Sequence, residues 1–303
     1  LKEFNYLLTT LAVNYIQQFV KLTGGRINPK RVDINDLWPD TLASTGMIKN
    51  KYLLRFIGKV CLWVYKRSSH IVVGTPGYRK NLIERGVPKD KINIIYNWCD
   101  EEAISLPAVT NAEEYGMNNR FNIVFAGTMG KAQALDSVIR AAKLIESRHE
   151  EVQFVFVGGG IEVENLKKLT QELLLKNVIF IPRLPFSQIG IVLSRADALL
   201  VHLKNDPLFE ITFPAKIQAY LKAGKPIIMG VKGDAASILT KSGAGFSVSP
   251  ENEESIADAV SKAFQLPQAE LDEMGERGLE YYNKHLSLKI GVRKFINVFK
   301  TVC

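Results

Sequence analysis

Twice in this chain an apolar run feeds directly into clustered glycines and then into residues at helical spacing. Asn122-Ile-Val-Phe-Ala-Gly-Thr-Met-Gly130 is followed by Leu135, Val138, Ile139, Ala142 and Leu144, and Val152-Gln-Phe-Val-Phe-Val-Gly-Gly-Gly160 by a helix expected from about Glu162 to Leu174. Runs with so little polar alternation suit strands buried on both faces. Further strands are read at Val178-Ile-Phe-Ile181, which ends on Pro182 and Arg183, at Ala198-Leu-Leu-Val201 with Leu203, and at Ile227-Ile-Met-Gly-Val231. Strands alternating with helices in this way make a parallel sheet covered on both faces, an α/β fold. Such folds bind ligands at the carboxyl ends of their strands.

One loop in that position carries more chemistry than the others. Asn205-Asp-Pro-Leu-Phe-Glu210 follows the Ala198 strand, and Pro214 fits the first turn of a following helix, where its missing N–H costs nothing. Ile217, Tyr220 and Leu221 give that helix an apolar face, and Gly224 and Pro226 end it. A helix starting near Phe213 aims its N–H groups and positive dipole end at the loop, which favours a diphosphate, and Lys216 adds a full charge. The plainer alternative is an ordinary strand, loop and helix with Glu210 and Lys216 solvated. The Gly127–Gly130 turn offers a second set of backbone donors, although its spacing is not G-x-G-x-x-G and glycines also serve close packing.

Composition narrows the classes. The 303 residues are enough for two domains, and an apolar fraction of 47% allows full cores. Cys61, Cys99 and Cys303 have no C-x-x-C spacing, so neither a disulfide scaffold nor a zinc site is indicated, and a reducing cytoplasm fits. His70, His149, His202 and His285 are scattered, His202 alone lying beside the expected site. The net charge of +8 is uneven: residues 1–98 hold 16 Lys/Arg against 6 Asp/Glu, and residues 99–303 hold 23 against 25. No motif with interleaved aromatics points to nucleic acid, whereas an anionic inner membrane surface or a diphosphate-linked lipid acceptor suits the basic half. Lys51, Arg55 and Lys59 recur opposite Leu54, Ile57, Cys61 and Trp63, which describes a basic amphipathic helix or, equally, a domain helix with a solvated face. No run reaches the ~18 to 20 apolar residues that span a bilayer, and Leu7–Val20 is polar enough to read as a packed helix.

A resemblance gathers these motifs. Phe125 through Asp136, Phe156-Val-Gly-Gly-Gly160, Ala196-Asp197, Asp206 through Glu210 and Pro214-Ala-Lys216 through Ala223-Gly-Lys-Pro226 together resemble the donor-binding domain of family-four, GT-B-fold retaining glycosyltransferases. Asp33-Ile-Asn-Asp-Leu-Trp-Pro-Asp40 and Val87-Pro88 through Asn97-Trp98 resemble N-terminal landmarks of the subgroup that builds bacterial capsule and O-antigen chains, nearest to N-acetyl-L-fucosaminyltransferases. The resemblance implies two Rossmann-like domains facing across a cleft, the N-terminal one truncated, since before Asp33 the chain offers one helix and a turn at Gly24-Gly25. It implies an acceptor-side domain at 1–105, a nucleotide-sugar domain at 106–280 and a returning helix at 281–303. It also implies a nucleoside diphosphate sugar as co-substrate, expected to be UDP-linked, a lipid-linked glycan as acceptor, and no metal or other cofactor.

Site residues follow from the same resemblance. Gly127, Thr128, Gly130, Lys131, Phe213 and Lys216 are expected at the diphosphate, Arg183 near the base or ribose, and Glu210 at donor-sugar hydroxyls, with Asn35 and Asp36 opposite. Departures are visible. A second glutamate that relatives carry for the ribose aligns with Ala219, which leaves Gln218 as its substitute, and Thr128 and Gln133 stand where relatives place an arginine and a lysine. Asn35 stands where a histidine is usual. An inactive GT-B-fold binding or assembly subunit is therefore one alternative and a nucleotide-sugar epimerase another, although no acid/base pair for the latter is identified. A nicotinamide-dependent oxidoreductase would need Gly158-Gly-Gly160 as its fingerprint, and both the third glycine's spacing and the acidic residue after the next strand are missing.

Overall fold

The computed structural model describes residues 31–105, 115–117 and 119–300. The chain forms two compact units, Leu1–Ile95 with Lys294–Cys303, and Tyr96–Arg293. The expected Leu7–Val20 helix and Gly24-Gly25 turn lie outside the described residues.

The first unit holds a parallel sheet of β1 (Arg31–Ile34), β2 (His70–Val73) and β3 (Ile92–Ile94), in that order. Thr75 accepts from the Tyr78 amide at 3.0 Å and, with Pro76 in the first turn, starts the helix Pro76–Glu84 after β2. The helix Lys51–Arg67 starts where Asn50 accepts from the Tyr52 and Leu53 amides, and it buries Cys61, Val64 and Tyr65. Trp63, expected on that apolar face, is instead 42% exposed with the Arg67 guanidinium 4.4 Å over its ring. The reason is spacing: Lys59, Trp63 and Arg67 recur every four residues and so share one helix face.

The second unit holds a six-stranded parallel sheet of β4 (Phe121–Thr128), β5 (Val152–Gly159), β6 (Val178–Ile181), β7 (Ala198–His202), β8 (Ile227–Gly230) and β9 (Gly245–Ser247), arranged β6-β5-β4-β7-β8-β9. Alternate residues of one strand enter different cores. Ile123 and Phe125 of β4 join Phe154 and Phe156 of β5 beneath the helix Leu135–Arg148, while Val124, Ala126, Val155 and Val157 face Ile217, Tyr220 and Leu221 of the helix Lys216–Ala223. Two covered faces account for the unbroken apolar runs. β9, three residues long and without such a run, is not foreshadowed in the sequence.

The segments expected at the domain boundary and in the returning helix divide differently. A continuous helix from Tyr281 was expected, but the chain forms Gln268–His285 and then Leu288–Lys300. The Leu288 amide bonds the Glu101 carboxylate at 2.8 Å, and Gly291 lies so close to Trp98 that a Cβ would come within 2.2 Å of the ring. Gly190 likewise brings the helix Phe186–Ser194 onto the Ala103 carbonyl, where a Cβ would stand 2.4 Å away. These contacts keep residues 96–105 and 281–293 with the second unit, so the units divide at Ile95/Tyr96 and Arg293/Lys294, compared with expected boundaries at 105/106 and 280/281. Among the described residues no helix is long and apolar enough to cross a membrane.

Candidate functional site

Chain order reverses between β4 and β7, and the two strands part there. β4 pairs with β5 along all eight residues, but with β7 only at Ile123↔Ala198 and Val124↔Leu199. Beyond Val124 the Tyr220 hydroxyl enters the gap, accepting from the Ala126 amide at 2.8 Å and lying 3.3 Å from the Ala126 carbonyl. Tyr220 is 1% exposed, and burial drives its phenol well above the ordinary range, so it stays a neutral donor and acceptor. A fork of this kind, at the carboxyl ends of strands where the order reverses, is the ligand crevice of a doubly wound sheet.

Lys216 projects into this fork from the start of its helix. Its ammonium lies 3.4 Å from the centroid of the Phe125 ring, and a Cβ on Gly127 would stand 3.3 Å from Nζ. Among the described residues Nζ is buried with no hydrogen-bond partner, and burial pulls its pKa down to about 7. The ring face offsets part of the lost hydration. An anion entering the fork would satisfy the rest.

The turn after β4 is arranged differently from the expected backbone cradle. The Met129 amide bonds the Gly159 carbonyl at 2.8 Å, and the Gly130 amide bonds its own turn's Gln133 Oε1 at 2.9 Å. Gly158 and Gly160 serve backbone packing: a Cβ on either would stand 2.1 Å from the Gly127 carbonyl or 2.2 Å from that of Met129. Donation to a phosphate from Met129 and Gly130 therefore gives way to bonds within the protein, and Lys216 is the buried basic group of the fork. Thr128 and Lys131 are exposed on its rim.

His202, at the end of β7, ties the surrounding loops together. Its Nδ1 lies 2.7 Å from the Gln133 carbonyl and donates to it, while Nε2 accepts from the Glu251 amide at 3.0 Å. The Glu251 carboxylate in turn accepts from the Asn205 amide, and the Lys204 amide bonds the Ala132 carbonyl at 2.8 Å. The ring is fully buried, and desolvation lowers its pKa, which keeps it neutral. Sequence reasoning marked His202 for its place but carried no signal of this clamp, whose partners lie 69 and 49 residues away.

The remaining expected residues are distributed as follows. Asp206 caps the short helix Pro207–Glu210 by accepting from the Leu208 amide at 2.9 Å, and Glu210 at its end is exposed. The Glu210 backbone rests against Gly233, whose φ of +73° and lack of a Cβ permit the approach. The helix starts at Lys216, later than the expected Phe213; Ala215 offers no side-chain cap, and the Phe213 ring meets Tyr96 edge-on at 5.4 Å. Burial, with Asp234 and Tyr281 nearby, pushes Tyr96 up to about 12. Gln218 is 2% exposed with its amide turned back to the Pro214 carbonyl at 3.2 Å, so the ribose contact assigned to it is corrected: the side chain is spent on its own helix. Arg183 is exposed after β6, at the far side of β5 from β4. Asn35 and Asp36 are exposed after β1 in the first unit. Among the described residues no three His, Cys, Asp or Glu side chains gather as a metal site requires.

A parallel sheet in each unit, with chain order reversing between β4 and β7 in the larger one, defines an α/β protein of GT-B fold. A family profile described as "Glycosyl transferases group 1" matches residues 110–281, and the chain belongs to that family. WbjE of Pseudomonas aeruginosa, named a probable glycosyltransferase, is 23% identical over 265 residues, which are 84% of this chain and 65% of that protein. WcaI of Escherichia coli (strain K12), named as a colanic acid biosynthesis glycosyl transferase, is 26% identical over 227 residues, 71% of this chain and 53% of that protein. The chain thus spans between about half and two thirds of the length of these curated relatives. The crystal structure of Anabaena HepE in complex with UDP shares the fold at a TM-score of 0.76 and 14% identity, over 90% of this chain and 72% of that one.

Proposed function

We propose that this chain is a glycosyltransferase that takes a sugar from a UDP-linked donor and passes it, with retained anomeric configuration, to a lipid-linked or growing polysaccharide. The observation that carries the reading is the Lys216 Nζ, buried without a hydrogen-bond partner among the described residues in the fork between β4 and β7. Negative charge grows on the departing diphosphate during sugar transfer, and a cation fixed where that charge develops lowers the barrier. The family assignment and the name of WbjE support the reaction class, and the UDP bound to HepE supports the substrate class. In this reading Glu210 binds donor-sugar hydroxyls, Lys131 and Thr128 serve at the rim of the phosphate site, and Arg183 serves near the base or ribose. The sugar is N-acetylfucosamine or a related hexosamine. Work at a cytoplasmic, anionic membrane face suits the basic helix Lys51–Arg67.

Calorimetric titration of the chain with UDP and GDP, and with NAD as control, tests this reading. UDP binding in wild type that weakens at least tenfold in Lys216→Ala is expected. Binding of NAD alone, or equal UDP affinity in the variant, would overturn it.

A further inference from the structure

The sequence expectation treats Lys216 as a permanent charge, and its surroundings argue otherwise. Its Nζ is packed between the face of Phe125 and the backbone of Gly127, beneath the surface, with no carboxylate or carbonyl bonded to it among the described residues. We infer that Lys216 rests as the uncharged amine on the Phe125 ring and is protonated as a nucleoside diphosphate arrives, so that donor binding takes a proton from solvent.

This deepens the nucleotide-site reading and depends on it. Three observations converge. An ammonium that meets a ring face but no hydrogen-bond acceptor in an apolar enclosure is disfavoured against the amine, and burial lowers this group to about 7. The titratable groups on the neighbouring elements do not reverse this: His202 on β7 is buried and neutral, Lys131 and Asp136 lie on the turn and helix after β4, Glu210 precedes the Lys216 helix, Glu251 follows β9, and none bonds Nζ. Finally, Nζ lies beneath the exposed end of β4, where a Cβ on Gly127 would stand 3.3 Å from it, so the missing side chain at 127 leaves the shortest approach for a phosphate. Two negative phosphates reverse the balance, because an opposite charge within a few ångströms favours the protonated form. The proton comes from bulk buffer and stays on Nζ while the diphosphate is bound. The charge is then present when the leaving group needs it, and the ligand-free fork avoids holding an unpaired cation.

The test is calorimetry of UDP binding at pH 8 in two buffers of different ionisation enthalpy, at which pH the terminal phosphate of UDP is already ionised. Wild type is expected to take up close to one proton per UDP bound. Its affinity should fall about tenfold per pH unit above neutrality, until the bound amine itself titrates. Lys216→Arg, which keeps its charge at every pH, and Lys216→Met, which has none, should both bind with no uptake. UDP binding to wild type without proton uptake would overturn the inference and leave the nucleotide site standing. Uptake that persists in Lys216→Met would overturn it too, by assigning the proton to another group. No UDP binding at any pH would remove both the inference and the reading beneath it.

Discussion

The Tyr220 hydroxyl takes the hydrogen bond that β7 would give to Ala126 if the two strands stayed paired. A side chain from the helix thus holds open the fork in which Lys216 lies. Tyr220→Phe leaves the Ala126 amide buried without a partner, at a cost of about 1–3 kcal/mol. Urea unfolding should show the midpoint fall with an unchanged slope, and UDP affinity should drop as the fork closes.

Lys216 shapes stability as well as binding. Its pKa is about 7 in the folded state and near 10.5 in the unfolded chain, so between these values the unfolded state holds more protons and wild-type stability rises with pH. Below pH 7 both states are charged and the whole burial penalty, on the order of a few kcal/mol, is felt. Lys216→Met should therefore be more stable than wild type at pH 7 or below, with the advantage shrinking toward pH 10 in denaturation curves. An advantage that does not vary with pH would contradict the buried amine.

His202 gives the opposite part of the pH range its slope. Its folded pKa is lowered, so below its unfolded value of about 6.5 the unfolded chain gains a proton that the buried ring refuses. Stability should fall as pH drops through this window. His202→Asn should be less stable by about 1–3 kcal/mol at pH 7.5 and should lack this acid-side decline.

The glycines after β5 differ in what they pack against. Gly158→Ala would drive a Cβ to 2.1 Å from the Gly127 carbonyl at a φ of +136°, whereas a Cβ on Gly159 meets nothing within 4 Å. Gly158→Ala is expected to cost about 3 kcal/mol or to abolish folding, and Gly159→Ala to stay within roughly 1 kcal/mol of wild type, as read from thermal melts. Equal, mild effects of the two substitutions on stability would contradict this packing role of Gly158.

Ala134 sits left-handed, at φ 43° and ψ 49°, between the Lys131–Gln133 turn and the next helix. A side chain there costs about 1–2 kcal/mol, offset in part by the extra chain entropy that glycine loses. Ala134→Gly should stabilise the protein by about 0.5–1 kcal/mol, visible as a rise in Tm.

The parallel sheet was readable because burial on both faces writes itself locally: Ile123 to Ala126 and Phe154 to Val157 are apolar at every step. Glycines at strand ends and Gly224 at a helix end are equally local signals, since φ near +66° is a demand of one residue's own backbone. The family motif around Lys216 was legible for the same reason, as a run of neighbours in the chain.

What only the tertiary structure decided is which groups meet. Lys216 and Phe125 are 91 positions apart and Tyr220 and Ala126 are 94 apart, so no periodicity links them. The sequence named the lysine, but its environment, apolar and without an acceptor, is set by packing between a helix and a strand, and that environment fixes its charge. Gln218 shows the converse: a side chain suited by type to a ribose is turned onto its own helix end. Residue chemistry travels along the chain, whereas desolvation and hydrogen-bond satisfaction are properties of the space a residue comes to occupy.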